Sequence, residues 1–181
     1  MNSVELTGSV MISIRPKWCK LIASGKKTIE VRKSRPKIET PFKCYIYQCL
    51  PKSGDWNERD GRVIGEFVCD RIDDITVVST PLMEYIQVNG KASMTVNSDA
   101  CLDIDELSEY ANGKTLCGWH ISDLVIYDKP KELREFKKIN RECWYADLGL
   151  AKRDCTECQN AGCMMTRPPQ SWCYCEPIEN I

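Results

Sequence analysis

Apolar and polar positions alternate in short blocks along most of the chain, and the period changes from block to block. VMISI, residues 10–14, is a continuous apolar run of strand length. Pro16 follows it and suits the first turn of a helix. Trp18, Leu21 and Ile22 then fall at i, i+3 and i+4, which predicts a helix from Pro16 to about Ser24 with one apolar face. Gly25 stands where a left-handed C-terminal cap is expected. From Lys27 to Lys33 the period drops to two: Ile29 and Val31 point one way, Thr28, Glu30 and Arg32 the other. FKCYIYQC (42–49), RVIGEFVC (62–69) and RIDDITVV (71–78) read as further strands, Gly65 marking a bulge or a close approach. SGDWNERDG (53–61) between the first two is a polar loop. Thr80 is expected to open a short helix through Ile86, and residues 87–100 look irregular. Asp103 with Glu106 three positions on is a capping-box pattern for a helix running toward Gly113. TLCGWHISDLVIY (115–127) returns to strand, and Asp128 and Pro130 announce a last short helix over KELREF.

This order is α+β and mostly antiparallel. It predicts a small, partly closed β-barrel with flanking helices. Repeated βαβ units are absent, which argues against a doubly wound sheet. With 181 residues, 43% of them hydrophobic, the chain is long enough for one cored domain and a small appendage. No internal repeat or low-complexity tract interrupts it.

Charge changes the picture locally. The net charge is −1, which excludes bulk polyanion binding by the chain as a whole. Yet Arg15 to Lys37 holds nine Lys/Arg and one acid, Glu30, whereas Asp55 to Glu109 holds thirteen acids and four bases. The pattern fits a basic face with an anionic partner, or a plain solvated surface. MNSVELTGSVMISI lacks a charged n-region and a long apolar h-region, and no apolar run approaches the roughly 20 residues of a membrane helix. These features predict a cytoplasmic protein with no membrane partner. Its twelve cysteines are then not a disulfide framework.

Gly25, Lys27, Glu30 and Arg32 spell G-x-K-x-x-E-x-R directly after the first helix. On that motif the N-terminal 130 or so residues resemble the ASCH domain family of the PUA-like superfamily. GWHISDLVIYDKPKELREF and RPPQSWCY resemble its prophage-type branch. The resemblance implies an ASCH/PUA-like barrel domain over 1–138 with the motif lining a cleft. A Cys-rich extension, 139–181, would pack on the barrel. It also implies RNA or a modified nucleoside as partner. Some small ASCH proteins look like amidohydrolases that remove the acetyl group of N4-acetylcytidine, using a lysine, a threonine three residues later and a separate glutamate that no motif here matches. Lys27 matches that lysine, and Glu30 stands at the threonine position.

The residues themselves leave three readings of the motif open. Glu30 can accept from a base's exocyclic amine while Arg32 presents a planar fork to a carbonyl or phosphate. Glu30 can orient a water while Lys27 stabilises an oxyanion. Or the set is an exposed ion-pair ladder across a strand. Strict alternation puts Lys27 on the Ile29 side, so it joins Glu30 only from a turn or a strand edge. Arg15 extends the basic run as a phosphate contact or a solvated helix-start residue. His120, the only histidine, is either a rim residue of a half-buried strand or a general base. Trp56, Trp119 and Trp172 can stack a base or fill a core.

Six cysteines crowd the last 39 residues. Cys155-x-x-Cys158 has knuckle spacing, with Cys163 close behind and Cys143 ahead. A structural zinc ion on Cys143, Cys155, Cys158 and Cys163, with Cys173 as an alternative ligand, is one reading; free thiols are the other. The expected function is an RNA- or modified-nucleoside-binding module. The alternatives are an amidohydrolase of an acylated nucleobase, with Lys27 and Glu30 catalytic, and a protein-interaction adaptor.

Overall fold

The protein is represented by a computed structural model that describes residues 8–50, 61–139 and 164–178. These fall into two compact units. One contains the residues up to Pro16, Lys43–Glu66 and Ile126 onward; the other contains Lys17–Phe42 and Phe67–Val125.

In the first unit, β1 (Ser9–Ile14) pairs in parallel with β3 (Phe42–Gln48) and antiparallel with β10 (Trp172–Cys175). The sheet order is β10-β1-β3-β4-β9, where β4 is Arg62–Cys69 and β9 is Ser122–Lys131. All six residues of β1 are buried, as a continuous apolar run requires. Met11, Tyr45, Tyr47, Val63, Phe136, Met165 and Cys175 form the core. The Tyr45 and Phe136 rings meet edge to face at 4.9 Å. Beside them Glu66 takes Lys43 at 2.7 Å and the Tyr127 hydroxyl at 2.5 Å. Burial and this bond push the Tyr127 phenol well above its ordinary range. Burial also pushes the Cys175 thiol up to about 12. The Ser9 hydroxyl donates to the Cys175 carbonyl at 2.8 Å and holds β10 as the edge strand.

The second unit holds the antiparallel sheet β2-β8-β5-β6-β7, formed by β2 (Ile29–Arg32), β8 (Leu116–His120), β5 (Ile72–Ser79), β6 (Glu84–Val88) and β7 (Lys91–Ser93). Three helices belong to it: α1 (Pro16–Ala23, most of which lies here), α2 (Val96–Ala100) and α3 (Ile104–Ala111). Ile29, Val31, Ile75, Ile86, Val96, Leu107 and Leu116 pack its core. Gly118 is a point of close approach: a Cβ there would stand 2.7 Å from Ile75 Cδ1 and 3.1 Å from Ile29 Cγ2.

The mostly antiparallel β architecture with few helices is as expected, but neither sheet closes into a barrel. Three local expectations are corrected. Residues 80–86 form a turn and then β6, because Thr80 closes the turn by donating to the Met83 carbonyl. Residues 87–100 contain a hairpin and α2. Asn89 and Gly90 both have positive φ, 51° and 78°, the two-residue turn that Asn-Gly favours. KELREF gives only a 3-10 turn at Leu133–Glu135, and Pro130 lies within β9, an edge strand that tolerates a missing donor. The capping box on α3 forms as expected: Glu106 N donates to Asp103 Oδ1 at 2.7 Å and Asp103 N to Glu106 Oε2 at 3.1 Å.

Candidate functional site

Gly25 takes φ 71° at the end of α1, the left-handed cap its position predicts. The next two amides, of Lys26 and Lys27, both donate to the Leu21 carbonyl, at 3.0 and 3.1 Å. The chain therefore wraps the helix end before β2 begins. Thr28 is then pinned on both sides: its amide donates to the Asp99 carbonyl at 2.8 Å, and its carbonyl accepts from Ile121 at 2.9 Å. This wrapping solves the position of Lys27. It stands in the turn, outside the strand's alternation, and its ammonium donates to the Ala100 carbonyl at 2.5 Å.

From there Lys27 Nζ lies 3.5 Å from Glu30 Oε2, and Arg32 lies 3.0 Å from Glu30 Oε1. Lys27 is 2% exposed, Glu30 6% and Arg32 9%. The exposed ion-pair ladder is thus replaced by a buried triad of two cations on one carboxylate. Every residue of β2 is buried, the polar-facing positions included. Burial pulls the Lys27 pKa below the ordinary lysine range and the Arg32 charge adds to this; Glu30 and Cys101 oppose it. The triad carries one net positive charge, so an anion is the ligand charge it complements.

The other expected residues divide. Trp119 is opposite Glu30 in the β2–β8 ladder, but it is fully buried and meets Phe42 edge-on at 5.7 Å. Its ring has no surface left to stack a base. His120 sits one residue on, with its side chain on the other face of the sheet. Its Nε2 is 2.6 Å from Asp73 Oδ2, and Asp73 also accepts from Asn89 Nδ2 at 2.9 Å. Burial pushes the Asp73 carboxyl up, but bonds from Asn89 and His120 and the Arg71 charge outweigh it and hold it below its ordinary value. Arg15 is exposed and belongs to the first unit. Trp172 is half-buried against Tyr174 in β10. Cys143, Cys155, Cys158, Cys163 and Trp56 lie outside the described residues. Cys173, in β10, is a half-buried thiol whose pKa burial raises.

Trp18 was legible only as a core residue of α1. Half of that holds, since its ring is partly exposed, with Lys27 Nζ 5.0 Å and Lys17 Nζ 4.3 Å from its centroid. The triad therefore has an aromatic neighbour at the surface. The Ala100 carbonyl is a second missed member, because α2 itself was not foreseen.

A family model for the ASCH domain matches residues 12–147. The chain belongs to the ASCH domain family. ASCH domains have a PUA-like fold of the RNA-binding kind, so this is a module of an RNA-binding fold class. The crystal structure of an ASCH protein from Zymomonas mobilis shares the fold at a TM-score of 0.50 and 21% identity, covering 92% of this chain and 87% of that one. Two mutant forms of the Zymomonas mobilis ASCH protein align at 18% identity, with TM-scores of 0.47 and 0.46. They cover 92% and 94% of this chain, and 89% and 90% of those. No curated protein matches this ASCH chain in sequence. Among the described residues of this ASCH domain, no helix is long and apolar enough to cross a membrane.

Proposed function

We propose that this ASCH domain binds RNA or a modified nucleoside at the Lys27–Glu30–Arg32 triad and the basic surface around it. The observation that carries the reading is the burial of two cations on one carboxylate, a net positive site inside a domain of RNA-binding fold class. A fixed Arg32 fork suits a phosphate or a base carbonyl. Lys17, Lys20, Lys26 and Lys33 are exposed on the same unit and add sequence-independent attraction. Filter-binding titrations with short RNAs and free nucleosides test it. Affinity should fall with salt at a log–log slope of about −0.7 per phosphate contact. A folded sample that binds neither RNA nor nucleoside at low salt rejects the reading.

Lys27 favours a second reading, hydrolysis of an acylated nucleobase. A buried amine with a lowered pKa can exchange a proton nearer neutrality than an exposed lysine. Against it, both Glu30 oxygens already face cations, and no hydroxyl stands at that position. Incubation with N4-acetylcytidine separates the two: turnover that Lys27→Ala abolishes would place hydrolysis first.

A further inference from the structure

Two aromatic rings of the second unit carry a lysine ammonium at the surface. Lys17 Nζ lies 4.3 Å from the Trp18 centroid, and Lys33 Nζ lies 4.7 Å from the Tyr110 centroid. Tyr110 is 37% exposed, and the Lys17 side chain is 68% exposed. The two rings are linked by a continuous set of neighbours. Lys17 Nζ also approaches Glu106 Oε1 at 3.9 Å. Glu106 and Tyr110 are four residues apart on α3 and share a face. Lys33 follows Arg32 directly. One path thus runs Trp18, Lys17, Glu106, Tyr110, Lys33, and at both ends it adjoins the buried triad, through Lys27 on Trp18 and through Arg32 before Lys33.

We infer that Trp18 and Tyr110 are base-stacking platforms, and that the ligand is single-stranded RNA with at least two unstacked bases. This rests on the RNA-binding reading of the same site. An exposed ammonium over a ring is a weak, solvent-competing contact, whereas a base stacked on an aromatic face is stronger. An incoming base therefore displaces Lys17 or Lys33 from its ring. The freed ammonium stays on a tether beside that base, where the RNA backbone runs, and takes a phosphate. Glu106 keeps Lys17 on this side of α1 until then. A duplex presents its bases already stacked and paired, so it reaches only the lysines.

The test compares a 12-nucleotide RNA, single-stranded and annealed to its complement, on the full chain at fixed salt. The single strand should bind about tenfold tighter or more. Trp18→Leu and Tyr110→Leu should each weaken single-strand binding by about tenfold and leave the salt slope unchanged. Lys17→Gln should reduce that slope by about 0.7. Trp18→Phe keeps a platform and should retain most of the affinity, which separates stacking from a loss of folding. Duplex bound as tightly as single strand, or Tyr110→Leu and Trp18→Leu binding like wild type, overturns the inference and leaves RNA binding itself standing. Failure of both RNA forms to bind at low salt also overturns the inference, and failure of free nucleosides as well removes the underlying reading with it.

Discussion

Replacing Glu30 by Gln removes the only negative charge between two buried cations and barely changes the side chain's volume. At an effective dielectric constant of about 20, charges 3.5 and 3.0 Å apart attract by roughly 5 kcal/mol each. Most of that offsets the cost of withdrawing three ions from water, so the net loss is smaller than the sum. Breaking a buried pair on one side typically costs about 3–5 kcal/mol, because the remaining charge is left uncompensated. Here two charges are left, at 2% and 9% exposure, and the upper half of that range is expected. With m near 2 kcal/mol/M, the urea midpoint should fall by about 2–2.5 M at unchanged m. The pH dependence supplies a second reading of the same variant. Lys27 has a folded pKa below its ordinary value of 10.5, so its burial costs stability at neutral pH, and the cost is relieved as pH rises through that window toward 10.5. Glu30 is the main group holding that pKa up, so the variant's window opens at lower pH and its deficit shrinks on alkalinisation. A deficit below about 1 kcal/mol, flat with pH, would mean that the triad behaves as a solvated surface pair, and the burial argument would fail.

Gly118→Ala puts a Cβ 2.7 Å from Ile75 Cδ1 and should cost about 1–3 kcal/mol in thermal or urea unfolding. Asp103→Ala removes the side chain that caps α3 and should cost about 1 kcal/mol, with Ser restoring most of it. Asp73→Asn should be destabilised at neutral pH. Its folded carboxyl pKa is depressed, so the wild-type advantage is present above the ordinary value of 3.8 and is lost as pH falls through the folded value; acid titration of the two proteins should show their curves converge. If Cys143, Cys155, Cys158 and Cys163 hold zinc, protein purified without added metal should contain about one equivalent, released only by a strong chelator or acid. Zinc near zero with all four thiols titratable in the folded protein rejects that site.

What the sequence showed of this fold follows from how local each signal is. The α3 cap, the Gly25 stop and the apolar run of β1 depend on neighbours within one turn or one strand, and each appears in place. The Asn89-Gly90 hairpin was equally local; polar residues around it concealed a turn signal that stands in plain view. Pro130 misled because its reading as a helix start ignores the sheet edge, where a residue without an amide hydrogen is harmless. The site was legible as a residue set and illegible as an environment. Alternation gave β2 a polar face and solvent was the natural company for it, yet burial depends on what covers a strand, and α2 was not foreseen.

That difference decides how the motif should be understood chemically. In an exposed ladder Lys27, Glu30 and Arg32 would be exchangeable among charged residues at a cost of a few tenths of a kcal/mol each. Buried, they are not exchangeable. Lys27 must reach the Ala100 carbonyl and Glu30 at once, which a four-carbon stem from the helix-end turn achieves. Arg32 must bring a guanidinium that reaches the other Glu30 oxygen. Glu30 must face both at once, one oxygen toward each cation. The spacing G-x-K-x-x-E-x-R is then a folding constraint: the glycine turns the chain, the lysine closes the turn onto α2, and the strand sets the acid and the arginine two residues apart on one face. A ligand that adds an anion to this arrangement relieves its excess charge, so binding at the triad should raise the stability of the second unit most strongly at low salt, where the excess is least screened.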